Sequence, residues 1–284
     1  MNGKFFLLFL FDTFFFRRLR NFFRFFYPFR KNSPKARESI AYGAYLWTNI
    51  HYSINHQLSL FSKKRKLPQN FGIGLPERVI EYPWAIANIP DTKGLHLDAG
   101  STLNFSDILE HKKLSNKDIS IVNLNPEWYC YWYKSISYVY GDLRKLMFKD
   151  NYFDSITLLS VLEHVGLDNE VYSKNYKENK AKDYLLAVDE LKRVLKPNGV
   201  ILVSVPYGQY QNFKWFQNFN AKMVTSIIKR FNPSAYDLSY YKYGPDGWQI
   251  SDKAACDQSL YPKTYPNKDL CSGARAVALL KMVK

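Results

Sequence analysis

From Gly94 onward the chain alternates short apolar runs with longer amphipathic stretches, and this alternation limits the possible folds more than any other feature. Runs of five or six apolar residues suit strands buried on both faces, and the segments between them are long enough for the crossovers that parallel strands require. The expected strands are Leu95–Ala99, Ile119–Leu124, Ile136–Tyr140, Ser155–Ser160 and Val200–Val205, with Ala274–Met282 as a late final strand. A helix over Lys182–Leu195 is expected to stop at Pro197-Asn198-Gly199, because proline cannot continue it and Asn-Gly supplies a turn. This predicts an α/β domain over residues 91–284, a helical and loop lead-in over 36–90 with a helix at about 36–60, and a separate arm over 1–35.

Charge separates the arm from the rest. Residues 1–70 hold thirteen Lys and Arg against Asp12 and Glu38, which is +11 of the net +15. The α/β part is therefore close to neutral, which argues against a nucleic-acid enzyme, whose basic surface would surround its active site. The apolar run Phe5–Phe16 is interrupted by Asp12 and falls short of the ~20 residues a spanning helix needs. The basic cluster follows that run and no small-residue cleavage site appears, so a signal peptide is not indicated either. On a helix, Phe15, Leu19, Phe22, Phe26 and Phe29 share one face, and Arg17, Arg20 and Arg24 lie opposite. That is the pattern of a segment lying in a membrane interface, so residues 5–30 are expected to make a peripheral contact. A helix packed on the globular part is the alternative. Lys63-Lys64-Arg65-Lys66 reads as a solvated charged loop.

Cys130, Cys256 and Cys271 have no paired spacing, and His51 and His56 stand five apart. Neither pattern makes a zinc site, so reduced thiols, a cytoplasmic setting and no metal are expected.

In open α/β sheets, ligands bind beyond the carboxyl ends of the strands. Strand one runs into Asp98-Ala99-Gly100-Ser101, strand three into Gly141-Asp142-Leu143, and strand four into Val161-Leu162-Glu163-His164. A glycine directly after a strand lets backbone approach a ligand closely, and a carboxylate such as Asp142 accepts hydrogen bonds from an amino group. Asp154, at the start of strand four, reads as a structural turn contact.

Three segments together carry a resemblance: Gly141-Asp142-Leu143 before Phe148–Asp154, Leu162-Glu163-His164-Val165, and Arg193-Val194-Leu195-Lys196-Pro197-Asn198-Gly199. In this order and spacing, Leu97–Tyr207 resembles the class I S-adenosylmethionine-dependent methyltransferase domain. Leu97-Asp98-Ala99-Gly100-Ser101-Thr102-Leu103-Asn104, Val205-Pro206-Tyr207-Gly208 and Trp215-Phe216-Gln217-Asn218-Phe219 look like a bacterial subgroup linked to surface-polysaccharide synthesis. The resemblance implies a Rossmann-like sheet, mostly parallel with an antiparallel last strand, and S-adenosylmethionine as cofactor.

Carried over by position, Asp98, Gly100 and Ser101 would cradle the methionine part. Asn123 would meet the ribose, and Asp142 with Leu143 the adenine. Ser160 to His164 would border the methyl group, with His164 or Glu163 as candidate base if the acceptor is a hydroxyl. Two departures stand out. Thr102 carries a Cβ where the family's second glycine is expected, and Asn123 lacks the usual charge, for which Glu127 is a nearby substitute. Tyr207, Tyr210, Phe213, Trp215, Phe216 and Phe219 either line an acceptor pocket or cover the sheet. The function implied is O-methylation of a glycan or glycolipid intermediate, or of another small-molecule acceptor, at the inner face of the cell membrane. The alternatives are a non-catalytic relative acting as an interaction module and an RNA methyltransferase using the basic arm.

Overall fold

The computed structural model describes residues 40–127, 130–170, 176–262, 271 and 273–284. The expected arm over 1–35 lies outside the described residues. In chain order the helices are α1 (Ile40–His56), α2 (Leu58–Ser62), α3 (Arg78–Asn88), α4 (Ser106–Leu109), α5 (Lys112–Ser115), α6 (Tyr184–Val194), α7 (Ala221–Phe231) and α8 (Lys253–Asp257). The strands are β1 (Leu95–Ala99), β2 (Asp118–Asn123), β3 (Ser137–Tyr140), β4 (Phe153–Leu159), β5 (Leu195–Pro206), β6 (Gln211–Asn212), β7 (Gln217–Asn218), β8 (Ala235–Gly244), β9 (Gly247–Ser251) and β10 (Ala276–Val283).

The chain divides into two compact units, each described by itself. The first gathers the described residues up to Ala87 with Tyr243–Ile250 and those of Pro262–Ala274. Its core is aromatic. Trp47 stacks on Tyr82 at 6.0 Å, and Trp248 is fully buried with its indole N–H donating to the Leu75 carbonyl at 3.0 Å. Trp248 is thus a packing residue. The Lys63–Lys66 run is exposed, as its charge dictates.

The second unit comprises Asn88–Lys242, Ser251–Tyr261 and Arg275–Lys284. Its strands lie in the order β3-β2-β1-β4-β5-β10-β8. Strands β1 to β5 pair in parallel, while β10 runs antiparallel to both β5 and β8. The expected Rossmann-like sheet with an antiparallel last strand is therefore present. Helix α6 buries Tyr184, Ala187, Val188, Leu191 and Val194, the spacing of one helical face, in the same core as Leu97, Ala99, Ile156 and Leu158. Helix α7 starts on Asn220, whose side chain accepts from Met223 N, and contributes Val224, Ile227 and Phe231 to that core.

One boundary differs from expectation. No separate turn divides α6 from the fifth strand: β5 begins at Leu195, straight after the helix. The Pro197-Asn198-Gly199 turn is absorbed as an irregularity in the β4–β5 register, with Asn198 at a φ of 63°. The order of strands reverses at β1 and β4, so a crevice is expected beyond their carboxyl ends.

Candidate functional site

Residues on β1 alternate between two environments. Leu97 and Ala99 face the apolar core under α6, so His96 and Asp98 point to the other face of the sheet. Both are fully buried, and β4 answers them with polar residues: His96 pairs in register with Ser155, and Asp98 with Thr157. The result is a hydrogen-bonded line across two strands. His96 Nδ1 lies 2.8 Å from Ser155 Oγ, and His96 Nε2 lies 3.1 Å from Thr157 Oγ1. Thr157 in turn donates to Asp98 Oδ1 at 3.5 Å. That direction assigns the imidazole proton to Nε2 and leaves Nδ1 to accept from Ser155. Burial drives the His96 pKa down to about 3, so the ring is neutral.

Asp98 ends this line and begins the next loop. Its Oδ2 accepts from Leu103 N at 2.8 Å, and its Oδ1 accepts from Thr102 N at 3.3 Å and Thr102 Oγ1 at 3.2 Å. Burial pushes the Asp98 carboxyl up to about 6, against the pull of those hydrogen bonds. The loop therefore folds around a carboxylate. Gly100 takes a φ of +102°, and a Cβ there would lie 2.4 Å from Val161 Cγ2. Ser101 follows at a φ of 58°. Thr102 does not adopt a positive φ, and its hydroxyl turns back to Asp98, which is why a residue with a Cβ is tolerated where the family pattern has glycine.

At the end of β2, Asn123 is already committed. Its Oδ1 accepts from Leu124 N at 2.9 Å, and its Nδ2 donates to Glu127 Oε1 at 2.9 Å. At the end of β3, Asp142 is clamped by Arg144, whose Nε lies 3.0 Å and 2.9 Å from Oδ1 and Oδ2. Arg144 also bridges Glu178 and Asp183, each at 2.8 Å. Burial acts to raise the Asp142 pKa, but the Arg144 contacts outweigh it and hold the carboxyl below the usual range. The Leu143 side chain belongs to the core.

After β4, Ser160 takes a φ of 49° and its N–H meets Ser204 Oγ at 3.0 Å. Leu162–His164 forms one turn of 3-10 helix, with Glu163 buried and His164 half-buried. His164 Nδ1 lies 2.9 Å from the Trp215 carbonyl oxygen. A carbonyl only accepts, so Nδ1 carries a proton, and in the neutral ring Nε2 is the nitrogen with the lone pair. The ring of Trp215 lies 5.0 Å from that imidazole. The aromatic segment divides: Tyr207, Phe216 and Phe219 are buried, while Tyr210 and Trp215 are half-exposed. Phe213 stacks on Phe216 at 4.6 Å with an interplanar angle of 4°, and Tyr261 closes on Phe216 from the side.

The sequence-expected residues thus sit at the carboxyl ends of β1 to β4. Asp98, Gly100 and Ser101 share the β1 loop, Asn123 stands on the neighbouring β2, and Asp142 and Leu143 follow β3. Ser160, Glu163 and His164 follow β4. Sequence reasoning missed His96, Thr157 and Arg144. The signal for the first two was present, because polar residues two apart within an apolar strand need buried partners. Asp154 is the structural contact expected: its Oδ2 accepts from Leu95 N at 2.8 Å and its Oδ1 pairs with Lys196 at 2.7 Å. Among the described residues, no cluster of His, Cys, Asp or Glu is arranged to hold a metal ion.

Comparison with known proteins gives the site a context. No curated protein matches the sequence. Solved structures similar to it include a Burkholderia thailandensis 1,6-didemethyltoxoflavin-N1-methyltransferase, at 13% identity over 68% of this chain and 71% of that one, with a TM-score of 0.40. A SAM-dependent methyltransferase from Thermotoga maritima matches at 11% identity over 84% of this chain and 100% of that one, with a TM-score of 0.42. The [4+2]-cyclase SpnF matches at 14% identity over 67% and 73%, with a TM-score of 0.43. The family model described as "Methyltransferase domain" matches residues 105–203. That match runs from the loop after β1 to the middle of β5.

Proposed function

We propose that this chain transfers a methyl group from S-adenosylmethionine to a hydroxyl of a glycan or glycolipid intermediate. The reading rests on one observation above others: the methyltransferase-domain match takes in β2, β3 and β4, which lie with β1 in one sheet whose tips gather acceptor groups suited to the cofactor. The cofactor's donors are an ammonium, a ribose diol and an adenine amino group. The chain offers the Asp98 loop with Gly100 and Ser101, the end of β2, and Asp142 beside the Leu143 backbone, in that order across β1, β2 and β3. These residues fit the group. When bound, the cofactor supplies a sulfonium methyl that is already electrophilic, so the protein's work is alignment and proton removal.

Proton removal falls to His164. Its Nδ1–H is fixed by the Trp215 carbonyl, which keeps the basic nitrogen at Nε2. Glu163, buried behind it, is less accessible to an acceptor. The half-exposed faces of Trp215 and Tyr210 suit the apolar face of a sugar ring. The Phe/Arg pattern of residues 5–30 supports a peripheral position on the inner face of the membrane, where such an intermediate is anchored.

Calorimetry with S-adenosylhomocysteine tests the cofactor half. Radiolabelled transfer from S-adenosylmethionine to cell-envelope glycolipid extract tests the acceptor half. Binding together with label in a glycolipid supports the proposal. The absence of binding heat removes it and leaves an interaction module with this fold. His164→Ala is expected to cut transfer roughly 100-fold or more while leaving S-adenosylhomocysteine binding within about twofold.

A further inference from the structure

The family pattern carried the ribose contact onto Asn123, but that side chain is a neutral amide already engaged on both sides. Its amide oxygen accepts from Leu124 N, and one of its amide N–H groups donates to Glu127. What stands among the strand tips instead is a carboxylate four residues further on. Glu127 Oε1 accepts from Asn123 Nδ2, at the end of β2, at 2.9 Å. Glu127 is therefore tethered to the end of β2. Burial raises its pKa, and the hydrogen bond from Asn123 opposes that rise. A donor beside the anion is what a carboxylate needs if it is to stay charged while partly withdrawn from water.

We propose that Glu127, oriented by Asn123, is the side chain that accepts hydrogen bonds from the cofactor's ribose hydroxyls. This rests on the methyltransferase reading above. A carboxylate offers about four lone-pair sites on two oxygens. With Oε1 engaged by Asn123, acceptor capacity remains for a vicinal diol. The carboxamide at position 123 keeps one N–H and one lone pair beyond its two bonds, and without a charge it is the weaker acceptor for a diol. Asn123 is a positioning residue, and the charge missing from the end of β2 is restored from the following loop.

The test is calorimetric and uses the full chain with two probes, S-adenosylhomocysteine and its 2′,3′-dideoxy analogue. Glu127→Gln is expected to weaken S-adenosylhomocysteine roughly 10- to 100-fold, as loss of a hydrogen bond to a charged group does. The same variant should bind the dideoxy analogue as the wild type does, because the hydroxyls that Glu127 meets are gone. Glu127→Ala, with folding checked by circular dichroism, should repeat the pattern. Unchanged S-adenosylhomocysteine affinity in Glu127→Gln overturns the inference, and so does an equal loss for both probes, which would assign the effect to loop structure. If the wild-type chain binds neither probe, the methyltransferase reading itself fails, and that result is distinct from either of the others.

Discussion

Asp98 and His96 are two residues apart on one strand, and their ionisations act on stability with opposite signs. The folded-state pKa of His96, about 3, lies below its ordinary value near 6.5, so its contribution is present above pH 6.5 and is lost as pH falls toward 3. The folded-state pKa of Asp98, about 6, lies above its ordinary 3.8, so its burial costs most above pH 6 and costs nothing below about pH 4. Between those limits the two largely offset one another. Asp98→Asn removes one side of the balance. In urea denaturation, the stability of this variant relative to wild type is expected to shift in the variant's favour between about pH 4 and pH 7.5. The acid sensitivity of His96, about 1.4 kcal/mol per pH unit at its steepest, is then uncovered. A variant that tracks wild type at every pH would contradict this account. Gly100 yields a sharper prediction. Its φ of +102° and the 2.4 Å approach to Val161 Cγ2 mean that Gly100→Ala should destabilise the domain by about 2–4 kcal/mol. Part of that loss should return in Gly100→Ala combined with Val161→Ala, and the return would show in the denaturation midpoint.

At the scale of elements, the strands were the most legible part of the sequence. β1 falls on the expected residues, and β2, β3 and β4 begin or end within two residues of expectation, because each apolar run has the length of a buried strand. The β5 boundary was not legible. Pro197-Asn198-Gly199 has the composition of a turn, and only pairing with β4 shows that the strand passes through it. The candidate site divides in the same way. The motifs placed Asp98, Gly100, Asp142 and His164 at strand ends, but the commitments of Asn123 and Asp142 depend on Glu127, which the sequence offered only as a nearby charge, and on Arg144, whose role no spacing announces. Arg144 joins the β3 loop to the segment before α6 through Asp142, Glu178 and Asp183. Arg144→Met should therefore leave three carboxylates facing one another. The expected loss is about 1–3 kcal/mol at pH 7, discounted for partial exposure, and it should shrink at pH 4 as the carboxylates protonate. Thermal denaturation at the two pH values measures it.

For the whole molecule, charge and topology were legible at different depths. The basic arm was evident from composition, and no helix among the described residues is long and apolar enough to cross a membrane. The proposed peripheral binding through residues 5–30 makes a direct prediction. The full chain should sediment with vesicles containing phosphatidylserine and much less with neutral phosphatidylcholine vesicles, and replacing Arg17, Arg18, Arg20 and Arg24 with Gln should abolish the difference. Equal sedimentation with both vesicle types would refute an electrostatic contribution from the arm. The sheet order could not be taken from the sequence in the same way, because it depends on which strands pair across long intervals.

That order has a consequence for how the chain is made. β10 is later in the chain than both of its neighbours, yet it pairs with β5 along Val200–Pro206 and with β8 along Ala235–Lys242. A polypeptide emerging from the ribosome as far as β8 therefore has two bare backbone edges and no strand to close the gap between them. During that interval chaperones have their clearest purchase on the nascent protein, and a premature stop before Ala276 would leave a product prone to aggregate rather than a shortened enzyme.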